Sequence, residues 1–227
     1  MGIFWLYIKK TLFLDFQNWI ILYIFVNYLD TIMKYDKIIC FDFDGTLCHT
    51  PEPIEGEKIF KKETGMDWPY NGWWGKPESI SSDIFHVPVN GWVYQRYLEA
   101  IADEGAHVIL ATGRLEKPTG MRTNVEKILN YHNLSFDKFD PMDEIEVGTP
   151  RRLVKRNGVY LNTGGDTFRF KTKLFEDLMG RMKVNELIMY DDRHEHLIKF
   201  TDWAHERPEN ITICDVVNKK FKTIKSK

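Results

Sequence analysis

Lys37-Ile-Ile-Cys-Phe-Asp42-Phe-Asp44-Gly-Thr-Leu47 is the stretch that decides the fold. Lys37–Asp42 is a short, nearly continuous apolar run, the pattern of a strand buried on both faces. It runs into two carboxylates two residues apart and then a Gly-Thr turn. Two such side chains point the same way if strand geometry persists, and in a bare sheet they would crowd like charges. A divalent cation and a phosphoryl group would justify them there. Ligands of open α/β sheets bind just outside the carboxyl ends of the strands.

Working outward, the chain alternates short apolar strands with amphipathic helices, the signature of a parallel sheet covered on both faces. The spacing predicts helices over 91–103, 119–131, 170–182 and 193–204, and strands over 107–112, 186–190 and 211–217. Residues 134–166 carry extended pieces and turn signals at Asn157-Gly158 and Gly164-Gly165 that suggest a hairpin. Residues 47–90 read as a long irregular insertion, with five prolines and a Trp-rich stretch from Trp68 to Trp74. Long irregular segments inside compact domains are commonly functional, and this one reads as lid-like.

The second strand ends in Ala111-Thr112-Gly113-Arg114 and the third in Asp191-Asp192-Arg193. Three strands therefore deliver acid, hydroxyl and acid to one rim, a set suited to hard oxygen ligation of Mg²⁺. With these motifs in this order, the sequence resembles the haloacid-dehalogenase (HAD) superfamily of phosphohydrolases over nearly all of residues 36–217. Two branches are similar. One is the 3′-phosphatase domain of phage polynucleotide kinase, whose last motif is also Asp-Asp-Arg. The other is the Swiss Army Knife RNA-repair-like HAD family, through Trp73-Trp74-Gly75-Lys76-Pro77-Glu78-Ser79, Thr167-Phe168-Arg169-Phe170-Lys171 and Asp192-Arg193-x-x-His196.

The resemblance implies a three-layer Rossmann-like α/β fold, with a parallel sheet, helices on both faces and a small cap-like insertion after the first strand. It implies a Mg²⁺-dependent phosphatase. Asp42 would be the nucleophile that forms an aspartyl-phosphate. Asp44 would be the general acid and then the base, its backbone carbonyl also meeting the metal. Lys171 would neutralise the nucleophile and the phosphoryl group, with Lys173 as its competitor. Thr112, Gly113, Thr46 and Arg114 would surround the phosphate. Asp42, Asp44, Asp192 and Asp191 would form the metal site, the last two with exchangeable roles. Arg193 would add positive charge.

Plainer readings stand beside these. Arg114 is also a common kind of structural arginine. His194 and His196, two apart on a helix, do not share a face, although His196 matches a family position near the site. His49 and His86 read as lid residues. Trp68, Trp73 and Trp74 read as core of the insertion, with base stacking as the alternative. The basic run Arg151, Arg152, Lys155 and Arg156 reads either as a contact for nucleic-acid phosphates or as a solvated turn. The RNA-repair resemblance favours a phosphorylated nucleic-acid end as substrate, with repair proteins as partners. The alternatives are a small-metabolite, nucleotide or protein phosphatase, or a non-catalytic binding module.

The remaining chain sets bounds. At 227 residues it suits one domain, and 43% hydrophobic with 28% charged residues excludes collagen-like, wholly disordered and multi-span membrane classes. A net charge of −2 excludes coating of nucleic acid by bulk charge. Cys40, Cys48 and Cys214 have no metal-ligand spacing; as reduced thiols they fit a cytoplasmic setting, and Cys40 reads as a small buried side chain. Residues 1–32 are mostly apolar, with only Lys9, Lys10, Asp15 and Asp30 charged. Their apolar runs fall short of the ~20 residues of a membrane span. They read either as upstream sequence ahead of a true start at Met33 or as an interfacial helix or anchor that contacts a membrane. The catalytic pattern lies wholly within 33–227, with its insertion at 47–90.

Overall fold

The computed structural model describes residue 18 and residues 35–139, 142–148 and 151–225. The expectations for residues 1–32 therefore lie outside the described residues, apart from Asn18. Among the described residues no helix is long and apolar enough to cross a membrane.

Strand β1 (Lys37–Phe41) lies inside a six-stranded sheet with β2 (Ala106–Leu115), β5 (Val159–Asn162), β6 (Glu186–Asp191), β7 (Asn210–Asp215) and β8 (Lys220–Ile224). The order is β5-β2-β1-β6-β7-β8. All neighbours pair in parallel except β7 and β8. The chain winds from β1 to β2 on one side and returns to β6 on the other. The carboxyl end of β1 is thus the switch point where such sheets bind ligands.

The period of two along β1 divides the core. Ile39 and Phe41 face one layer with α2 (Gly91–Ile101) and α3 (Met121–Tyr131). Ile38 and Cys40 face the other with α4 (Thr167–Met182) and α5 (His194–His205). Burial of Leu174, Phe175, Leu178 and Met179 fastens α4 to the sheet, each contributing ~1.5–3 kcal/mol. The architecture is the mixed α/β, mostly parallel, helix-flanked sheet expected of a Rossmann-like HAD fold. All three cysteines are free and buried.

Several boundaries differ from the sequence reading. The insertion is not irregular throughout. Pro53–Thr64 forms helix α1, because proline at the first helical position needs no N–H donor and presets φ. Gly56 on α1 packs directly on the Trp73 ring, where a Cβ would collide. Helix α4 starts three residues early because the Asp166 carboxylate accepts from Arg169 N at 3.0 Å, an N-cap. β8 was hidden by its composition: Lys220-Phe-Lys-Thr-Ile224 buries only Ile224.

The hairpin also sits elsewhere. It joins β3 (Glu144–Val147) to β4 (Arg152–Lys155), antiparallel and apart from the main sheet. Asn157-Gly158 instead turns the chain from β4 into β5, and Gly164-Gly165 leads into α4. An ion pair buried beside β5 holds this region. Arg122 on α3 donates to both oxygens of Glu116, at 2.9 and 2.7 Å, and to the backbone oxygens of Arg156 and Val159. Glu116 is fully buried, so Arg122→Met would take a bidentate charged partner from a buried carboxylate. The expected cost is about 3–5 kcal/mol, measured as a lower urea midpoint, and a loss below 1 kcal/mol would contradict this role.

Candidate active site

The rim above β1, β2 and β6 gathers the expected residues, in two groups. In the first, Asp42 leaves the end of β1 with its N–H bonded to Tyr190 O at 3.0 Å. Its Oδ1 lies 3.1 Å from Lys171 Nζ, which also donates to Asp191 Oδ2 at 2.8 Å. Lys171 reaches inward from the second turn of α4 and is 1% exposed. Lys173 lies on the outer face and pairs with Asp177, so Lys171 occupies the position at the site. Asp191 Oδ1 accepts from Arg193 N at 3.0 Å and lies 3.5 Å from His196 Nδ1. Asp192 turns to the opening and accepts from Thr46 Oγ1 at 3.1 Å. The buried Thr46 hydroxyl is thereby committed to Asp192.

In the second group, Asp44 takes Arg114 Nη2 at 2.7 Å and Nε at 2.9 Å on Oδ1. Thr50 Oγ1 also donates to Asp44, at 2.8 Å, and Thr112 Oγ1 lies 3.4 Å away. Arg114 is 2% exposed. Its Nη1 donates to Ser79 Oγ at 2.7 Å, and its guanidinium lies 5.4 Å from the Trp74 ring. The insertion is thus wired to the end of β2 through Arg114.

This corrects the expectation that Asp42 and Asp44 point the same way. The strand ends at Phe41 and the chain reverses: Gly45 N bonds Cys48 O, and Leu47 N bonds Asp42 O. Gly45 takes φ +70°, and a Cβ there would collide with the Asp192 carboxylate. Strand alternation therefore stops before Asp44. Of the four residues expected around a metal, Asp42, Asp191 and Asp192 can bring carboxylate oxygens within 4.8 Å of one another, while Asp44 is expected to offer its backbone carbonyl. The Asp44 carboxylate instead faces Arg114.

Burial decides the electrostatics. Asp42 is pushed up to about 8, chiefly by burial and further by Asp191, Asp44 and Asp192, against the opposing pull of Lys171. Asp191 is held below its ordinary range by the Lys171 ammonium and the His196 contact, which outweigh its burial. Asp192 is raised by burial and by Asp191. Three carboxylates against one ammonium suit a hard cation with oxygen ligands such as Mg²⁺.

A cleft of about 220 Å³ opens over both groups. Asp42, Asp44, Gly45, Gly113, Arg114 and Asp192 line it. Trp74, Thr167, Glu52, Arg193 and His196 line it too. Glu52 and the Ser79 bond to Arg114 were not anticipated. Trp73-Trp74-Gly75-Lys76-Pro77-Glu78-Ser79 was the available signal for Ser79, but its role depends on where Arg114 lies. Trp73 is buried and donates to Pro51 O, while Trp74 reaches the cleft. His194 is exposed, away from the buried His196.

Residues 66–226 match the family described as HAD domain family 1 in Swiss Army Knife RNA repair proteins. The chain belongs to this family. Membership makes the domain a phosphohydrolase type at the general level, associated with RNA repair. The match begins after β1, so Asp42 and Asp44 lie outside the matched residues.

Because burial and the neighbouring carboxylates raise Asp42 to about 8, its carboxyl is expected to carry a proton near pH 7 in the metal-free chain. A cation ligated by its carboxylate must displace that proton. Calorimetric titration with Mg²⁺ in buffers of different ionisation heat is expected to show release of close to one proton at pH 7, falling toward zero above pH 9. Apparent affinity should weaken about tenfold for each pH unit below 8. A pH-independent affinity between 6 and 8 would contradict this reading of Asp42.

Proposed function

We propose that this chain is a Mg²⁺-dependent phosphomonoester hydrolase that works through an aspartyl-phosphate on phosphorylated nucleic-acid ends, with a terminal 3′-phosphate as the favoured substrate. The observation that carries it is the Lys171 ammonium held between Asp42 and Asp191 beneath the cleft, beside a third carboxylate, Asp192. Asp42, Asp191 and Asp192 would hold the Mg²⁺, which when bound supplies positive charge for the phosphoryl oxygens.

The remaining chemistry belongs to the chain. Asp42 attacks phosphorus, the phosphorus–oxygen bond to the leaving alcohol breaks, and an acyl phosphate forms. Lys171 keeps Asp42 oriented and balances charge as the phosphoryl group arrives. Gly113 N–H and the Thr112 hydroxyl contact phosphoryl oxygens. An incoming phosphate dianion competes with Asp44 for the Arg114 guanidinium, since both are bidentate acceptors. Asp44, freed from Arg114, takes a proton from solvent in the cleft and delivers it to the leaving oxygen. It then takes one from the water that opens the acyl phosphate, restoring Asp42 and releasing phosphate. The nucleic-acid substrate is supported by the RNA-repair association of the family, and partner repair proteins would complete the pathway.

The test is a phosphatase panel with Mg²⁺: a 3′-phosphorylated oligonucleotide, nucleotides, small phosphate esters and phosphopeptides. Phosphate release from the oligonucleotide, abolished in Asp42→Asn, is expected. Turnover of nucleotides without the oligonucleotide would move the substrate class. No turnover of any ester, nitrophenyl phosphate included, would leave a binding module. Asp44→Asn is expected to cost ~10²–10⁴ in kcat. The loss should be larger for an alkyl ester, whose leaving oxygen needs the proton, than for nitrophenyl phosphate. Equal losses on the two substrates would remove Asp44 from the role of acid.

A further inference from the structure

A second pocket opens on the far side of the turn that carries Thr167. It holds about 360 Å³ and is lined by Arg156, the Thr163–Gly165 turn, Arg169, Phe170 and Lys173, among others. The two pockets flank one stretch of chain. Thr167 and Gly113 border the catalytic cleft, and residues 163–166 border this one.

Arg156 is the unusual member. Its residue is only 9% exposed. Nη1 donates to Met142 O at 3.3 Å, and the guanidinium lies 5.1 Å from the Tyr160 ring. Its Nε is buried without a hydrogen-bond partner, and among the described residues Arg156 forms no ion pair. Asp143 and Glu116 act on it only from a distance, and burial lowers its pKa. A guanidinium drawn from water with so few partners carries an uncompensated cost. An anion in the pocket would offset it.

The surroundings suit one. Arg169 is exposed, and Lys173 stands a turn further along α4. The Asn162 side chain pins the turn, accepting from Gly164 N at 2.9 Å and donating to Gly165 O at 3.1 Å. At Gly165, φ +89°, nothing lies within 4 Å of where a Cβ would be, so an anion can approach the backbone. Lys117 Nζ reaches the same turn at Gly164. The carboxylates that line the pocket are already engaged: Asp166 caps α4, and Asp177 faces Lys173 at 3.7 Å.

Two other members of the basic run behave differently. Arg151 pairs with Glu146 at 3.1 Å, and Lys155 stands 3.6 Å from Glu144, across the β3–β4 hairpin and in the open. Arg156, unlike Arg151 and Lys155, turns inward to a pocket.

We propose that this pocket binds a second phosphate of the substrate strand, the internucleotide phosphate next to the end seated in the catalytic cleft. The inference rests on the nucleic-acid reading above. Arg156 and Arg169 would hold the diester, and Phe170, half-buried at the pocket wall, would meet the adjoining sugar or base. Phosphate contacts of this kind fix register without reading sequence.

An oligonucleotide ending in a 3′-hydroxyl needs this pocket and not the catalytic chemistry, so its binding is the primary test. Fluorescence anisotropy on the full chain is expected to show about tenfold weaker binding in Arg156→Gln and in Arg169→Ala. The slope of log affinity against log salt should fall by about one. Unchanged affinity and slope in Arg169→Ala, which is exposed and leaves the core intact, would overturn the proposal even if Arg156→Gln fails to fold. In kinetics, both variants should raise KM for the phosphorylated oligonucleotide about tenfold and leave kcat and nitrophenyl phosphate turnover unchanged. Parallel loss on both substrates would reassign Arg156 to structure and overturn the pocket. No oligonucleotide turnover by the wild type, with hydroxyl-ended binding still lost in the variants, would sink the substrate reading and leave the pocket standing.

Discussion

The Lys171 ammonium, 1% exposed, stands 3.1 Å from Asp42 and 2.8 Å from Asp191, and the rest of the site is arranged around it. An ammonium that far from water is tolerable only if carboxylates meet it. Those carboxylates come from the ends of β1 and β6, adjacent parallel strands. The ammonium comes from α4, which Asp166 caps one turn earlier and whose apolar face is buried against the sheet. Loss of one partner would leave a buried charge at about 3–5 kcal/mol. The same contact thus ties strand order, helix start and catalytic electrostatics together, while Asp192 leaves the cluster short of positive charge.

Arg114 performs the matching task on the other side of the cleft. Its guanidinium reaches Asp44, Ser79 and the face of Trp74, joining the turn after β1, the insertion and the end of β2. β2 continues past Thr112 through a register shift before Leu115, which places Arg114 inside the rim. The insertion is therefore bound to the catalytic turn by a charged contact as well as by packing such as Gly56 against Trp73. A substrate phosphate that draws on Arg114 acts on Asp44 and on the insertion together.

Much of this was legible in the chain. Apolar runs that end in acid or in Thr-Gly-Arg marked β1, β2 and β6, because strands buried on both faces leave an unbroken apolar pattern. Lys171 was separable from Lys173 by helical spacing. Other features were not legible. α1 hid behind prolines that start helices as readily as they break loops, and β8 is an edge strand whose side chains are mostly solvated. Ser79 and Arg156 carry no local sign of their roles: one partners an arginine 35 residues away, and the other looks like its exposed neighbours.

The sequence by itself determined the class of sheet, the strands that end in functional groups and the family to which those groups belong, because burial on both faces and strand-end chemistry are local patterns. Only the tertiary structure decided which carboxylates share a cation-sized space. Gly45 reverses the chain within one residue of Asp44 and sends its side chain to Arg114. Asp191 and Asp192, adjacent in sequence, divide between Lys171 and the open cleft because one lies inside the strand end and the other beyond it. Those outcomes depend on where non-adjacent elements meet, and the residue pattern along one strand carries no record of that.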